Sequence, residues 1–186
     1  MRYSILLLTA FPVVLPSLMQ VKAEANSSAP SAITTQAPVQ ELLAGYLKWM
    51  HRHPQVMPKA TKKGEDPSPF FAPVPAIDLY SPSGSSVYFE AKPKNNAEFL
   101  RSMRPALPPV TKAQPSTLRP TLSEAMEMFP ELKSYQTLTS GDVRYTVFAL
   151  TNSGDEYCRE QDEAVAQLKS RAQALGIRVI EVKLHK

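Results

Sequence analysis

The stretch from Tyr145 to Leu184 constrains the fold more than any other part of the chain. Val143 to Leu150 is an apolar run rich in β-branched and aromatic residues, and it predicts a strand. Asp155 to Leu175 predicts the strongest helix, and Gly176 stands just past its end, where left-handed backbone is favoured. Ile177 to Leu184 carries Ile177, Val179, Ile180, Val182 and Leu184 and predicts a buried strand. Strand, helix and strand joined by such short connections form a βαβ unit, whose two strands run parallel.

A second block precedes it. Ala76 to Tyr80 and Ser86 to Glu90 read as strands, and Ser81-Pro82-Ser83-Gly84 between them has turn composition, which together predict a β-hairpin. Asn95 to Met103 follows as a helix with Ala97, Phe99, Leu100 and Met103 on its apolar side. Thr121 and Glu124 have capping-box spacing ahead of a short helix that stops before Pro130. The fold class is therefore α/β, a mixed sheet built from a ββα block followed by a βαβ block.

Prolines divide the rest. The chain has 186 residues and 18 prolines. Eight fall between Asn26 and Ala76, and five more between Pro105 and Pro120. Proline removes a backbone donor and fixes φ, so residues 24–39 and 54–72 read as linkers and 104–120 as a long connection. Gln40 to Arg52 predicts a short amphipathic helix with Leu42, Leu43, Tyr46, Leu47, Trp49 and Met50 apolar, weakened by Gly45 and ended by Pro54. A helix this short is marginal alone in water, so it should dock on the domain or on a partner. The expected organisation is a Pro-rich arm at 24–72 carrying this helix, then one domain at 73–186.

Residues 1–23 have the order of a secretory signal: Arg2, the apolar run Ile5 to Leu18, then small residues at Ala23 and Ala25. The mature chain would start at Glu24 or Asn26, in the periplasm or outside the cell. The formal net charge of +4 includes Arg2 and Lys22, so the mature balance is 4 − 2 = +2. That modest charge argues against a nucleic-acid partner. A single cysteine, Cys158, excludes an internal disulfide and a cysteine-based zinc site.

Cys158 lies where the first strand of the βαβ unit enters its helix, in Asp155-Glu156-Tyr157-Cys158. This resembles the thioredoxin superfamily, where a strand is followed by Cys-x-x-Cys at a helix start. The second cysteine position is kept and the first is aspartate. Upstream, Val74-Pro75 opening Ala76–Tyr80, then Gly84 and Val87-Tyr88-Phe89 before a helix, resembles the second half of the same fold. There a cis-proline opens a strand, which makes Pro75 the candidate cis-proline. The two blocks stand in the reverse of the family's order, so the resemblance implies a circular permutation. It also implies that Val74–Pro75 is cis and that Ala76–Tyr80 runs antiparallel beside Val143–Leu150.

Dithiol exchange needs an attacking thiolate and a resolving thiol. Asp155 cannot attack a disulfide, but it is a good N-cap. A helix N-terminus lowers a thiol pKa, whereas burial and the acids Asp155, Glu156, Glu160, Asp162 and Glu163 disfavour the thiolate. Cys158 then reads either as a buried apolar residue or as a single redox-active thiol. His51 and His53 are two apart and do not share a helix face, and His185 is the only other histidine, so no metal site is expected. No phosphate-binding loop, nucleophile elbow or zinc-protease motif is present, and no cofactor is implied. The acid-free stretch Lys48 to Lys63 could touch an anionic envelope surface. Two functions stay open: a non-catalytic protein-interaction or assembly module, or a single-cysteine thiol–disulfide protein using Cys158.

Overall fold

A computed structural model describes residues 30–56, 74–105, 119–139, 143–152 and 154–186. The expected signal at 1–23 lies outside them, as do residues 57–72 of the linker read at 54–72 and residues 106–118 of the connection read at 104–120. Among the described residues five strands form one mixed sheet: β1 (Ala32–Pro38), β2 (Ala76–Tyr80), β3 (Ser86–Glu90), β4 (Tyr145–Asn152) and β5 (Ile177–His185). Their spatial order is β1-β5-β4-β2-β3. β4 and β5 are parallel, with Val147 opposite Val179 and Leu150 opposite Val182. β2 is antiparallel to both β3 and β4. The ββα and βαβ blocks thus share one sheet, and the Val74–Pro75 bond is cis.

Period-two alternation sends the strand residues to two cores. Ala76, Tyr80, Phe148, Leu150, Ile180, Val182 and Leu184 face one side, under α1 (Val39–Arg52), α3 (Leu122–Glu127) and a 3₁₀ segment at Pro130–Thr139. Ile77, Leu79, Val147, Ala149, Ile177 and Val179 face the other, under α2 (Pro93–Ser102) and α4 (Arg159–Leu175). Both faces are covered, which is why β4 and β5 read as nearly continuous apolar runs.

The arm differs from its reading. Ala32–Pro38 is not linker. It is a strand parallel to β5, with Ile33 opposite Ile180 and Ala37 opposite Leu184. Pro30 and Pro38 bracket it without entering its interior, and an edge strand tolerates missing donors on its free side. Helix α1 follows at once and docks on the sheet through Leu42, Tyr46, Trp49 and Met50. Gly45, read from sequence as a weak point, lies where α1 closes on α3: a Cβ there would meet Met128 Cβ at 2.6 Å. The body of the protein therefore begins at β1, well before residue 73. Strand β4 runs two residues later than its sequence reading at both ends, since Thr151 and Asn152 stay paired with Lys183 and Leu184.

Candidate functional site

The Cys158 loop leaves β4 at Asn152. Gly154 adopts φ of +82°, a backbone that suits glycine, and its open surroundings leave room for the turn. Asn152 O accepts from Asp155 N–H at 3.2 Å, and Asp155 Oδ1 accepts from Tyr157 N–H at 2.9 Å. Asp155 therefore serves as the cap of a 3₁₀ turn at Glu156–Cys158, which runs straight into α4. Tyr157 projects outward and is 64% exposed, while Cys158 is completely buried. Burial pushes the Cys158 thiol up. The Asn152 backbone opposes this, and Asp155 and Asp162 add to it.

Behind the loop stands Gln161, fully buried. Its Nε2 donates to Leu150 O at 3.0 Å and to Ala76 O at 3.4 Å, and its Oε1 accepts from buried Asn96 Nδ2. One amide thus ties the start of α4 to the end of β4, to the first residue after Pro75, and to α2. This clamp brings the Pro75 end of β2 and the Cys158 end of α4 to the same edge of the sheet. Sequence reading passed over Gln161 and Asn96. Their signal was the helical stripe itself: Cys158, Gln161, Val165, Leu168, Ala172 and Leu175 recur at three- and four-residue steps, so Gln161 had to point inward.

The outer rim of this edge is acidic. Asp155, Glu156, Asp162 and Glu163 line a shallow cavity of about 330 Å³ together with Gly154 and Arg159. Arg159 pairs with Glu156 at 3.4 Å, both widely exposed. Burial raises the Asp162 carboxyl; Lys183 pulls it down and Glu181 pushes it further up.

A second polar cluster is buried on the α1 face at the middle of β2. Asp78 accepts from Arg119 Nη2 at 2.6 Å, from Arg119 Nε at 3.3 Å and from Ser86 Oγ at 3.3 Å. The Arg119 guanidinium also lies 3.5 Å from the Phe89 ring centre. Burial pushes Asp78 up, against the pull of Arg119 and Ser86. Neither residue was singled out from sequence, because 41 positions separate them. Nearby, His53 Nε2 is 3.2 Å from Glu124 Oε1, joining the end of α1 to α3. The capping box read from Thr121 and Glu124 is formed in both directions.

Of the basic stretch, Lys48 and Arg52 are exposed on α1, and Arg52 pairs with Glu127 at 3.2 Å. Lys59, Lys62 and Lys63 lie outside the described residues. Among the described residues no group of three or more His, Cys, Asp or Glu side chains is placed to hold a metal ion, and no helix is long and apolar enough to cross a membrane. No family model, curated protein or solved structure matches the chain.

Proposed function

We propose that this is an exported, thioredoxin-like module that binds a protein partner without thiol chemistry. The observation that carries the reading is the fate of the motif loop. The position that would attack a disulfide is Asp155, whose carboxylate is engaged in capping, and the remaining sulfur of Cys158 is fully buried with its thiol pushed up. Burial in a packed site makes a cysteine inert. Support for the scaffold comes from the order β5-β4-β2-β3, with β4 parallel to β5 and antiparallel to β2, the arrangement that the permuted resemblance implies. The signal-like residues 1–23 support export to the periplasm or beyond.

Thiol reactivity is the test. In the native protein, Cys158 should react with a disulfide reagent far more slowly than in denaturant, and insulin reduction should not exceed that of Cys158→Ser. Rapid native labelling, with dithiothreitol-coupled turnover above that control, would establish the single-thiol function instead. A photo-crosslinking side chain at Tyr157 should capture a protein in the native envelope equally well with and without the Cys158 sulfur.

A further inference from the structure

Helices α1, α2 and α4 all start at the Cys158 edge and end at the opposite edge, where β4 and β5 begin. At that far end four arginines gather around the last turn of α2. Arg104 Nη1 donates to Arg101 O at 2.8 Å and to Met103 O at 3.0 Å. Arg171 Nη2, from α4, donates to Leu100 O at 3.4 Å, and Arg144 Nη1, from the lead-in to β4, donates to Pro105 O. Arg144 is itself fixed by its N–H, which donates to Gly176 O at 2.8 Å. Arg101 is exposed in the last turn of α2.

Helix capping accounts for part of this. A helix C-terminus carries about half a negative charge, so four cations there leave most of their charge uncompensated. The ion pairs among the described residues use Arg52, His53, Arg119, Arg159, Lys169 and Lys183, and none of these four. Few carboxylates flank them in sequence. Ala164 to Leu175 contains no acid in sequence, nor does Leu100 to Arg119; Glu98 on α2 forms no ion pair among the described residues, and Asp142 lies outside them. Like charges held close together cost free energy that a carboxylate would relieve.

We propose that Arg101, Arg104, Arg144 and Arg171 form a docking surface for a carboxylate-rich segment of a partner protein. Guanidinium forks already held by backbone carbonyls lose little side-chain freedom when they grip a carboxylate. An anionic lipid surface fits less well. Stable seating on a membrane adds apolar insertion to charge, and the large apolar side chains exposed among the described residues are Leu47 on α1 and Tyr157 in the loop, neither at the ends of α2 or α4. The inference rests on reading the chain as a binding module, and it concerns the opposite edge of the sheet from Tyr157.

The test uses the protein without residues 1–23 and a fluorescent peptide of alternating Asp and Gly, followed by anisotropy. Saturable binding is expected, absent for the Lys–Gly counterpart and weakened as salt rises toward physiological strength. Arg104→Glu and Arg144→Glu should each weaken it by about tenfold or more, whereas Lys48→Glu on α1 should change it by no more than about twofold. Arg101→Glu, at an exposed position, serves if melting curves show the other variants misfolded, and should also weaken binding. Unchanged affinity in the folded reversal variants overturns the proposal. So does absence of saturable binding, or sedimentation with phosphatidylglycerol vesicles without peptide binding. Because the probe bypasses the native partner, this surface can fail while Tyr157 crosslinking succeeds, and the reverse.

Discussion

Gly45→Ala sets two opposite effects against each other. In the interior of α1, alanine is the better helix former by about 1 kcal/mol. Against this, the new Cβ would lie 2.6 Å from Met128 Cβ, 2.8 Å from Met128 Cγ and 2.9 Å from Met128 Cα. All three approaches are closer than real Cβ atoms show. The third is to backbone, so no rotamer of Met128 relieves it. Overpacking of this kind costs about 1–3 kcal/mol, and a fixed backbone neighbour puts the site in the upper part of that range. The net expectation is a loss of about 1–2 kcal/mol despite the gain in propensity. Urea denaturation followed by helical circular dichroism should show a lower midpoint with an unchanged slope. The thermal midpoint should fall by about 2–8 °C. Met128→Gly removes a buried side chain and is itself destabilising, but Gly45→Ala should cost less in that background than in the parent, and still something, since the backbone at position 128 crowds the new methyl. A midpoint equal to or above that of the parent protein would refute the close approach of α1 to α3.

Three further outcomes are expected. Arg119→Met strands the Asp78 carboxylate in the core beside only Ser86 and should cost about 3–5 kcal/mol, much of it recovered in Arg119→Met/Asp78→Leu; equal losses in the single and double variants would contradict this. The Cys158 thiol is raised in the folded state, so the fold binds its proton more tightly than the unfolded chain does. Its contribution is full below the ordinary thiol pKa and is lost as pH rises above about 8.5, and Cys158→Ala should flatten that alkaline decline in thermal melts. Burial alone would raise Glu124, but the Thr121 N–H and hydroxyl, with His53 nearby, bring it below the ordinary range. Its contribution is therefore present above the unfolded value and lost as pH falls through the lowered one, below about pH 4; Glu124→Gln should blunt the acid decline of the melting temperature.

What could be read from sequence was local. The β2–β3 hairpin has the bounds its turn and alternation imply, and the Thr121–Glu124 box is closed, because each rests on residues a few positions apart. Strand β5 and the Gly176 terminus were legible for the same reason. Pairings across long separations were not. Strand β1 needs β5, far along the chain, and its flanking prolines resembled those of a linker. Asp78 and Arg119 make sense only once β2 and the approach to α3 are juxtaposed. Gly45 looked like a flaw in a helix until Met128 was beside it. At the candidate site, Asp155, Tyr157 and Cys158 stood out by motif. Gln161, the residue that ties the site together, was hidden because a polar residue on an apolar stripe reads as an exception rather than as a buried hydrogen-bonding hub.

The sheet order also sets a sequence of events during synthesis. Strand β5 is the last of the five to leave the ribosome, yet it lies between β1 and β4. Until it arrives, β1 has no strand to pair with, and α1, though already made, has an incomplete surface beneath it. A nascent chain in this state can assemble the hairpin and its neighbour β4 at most. Deleting Ile177–His185 should therefore release β1 and α1 from protection against amide exchange, while leaving the hairpin's local turn intact.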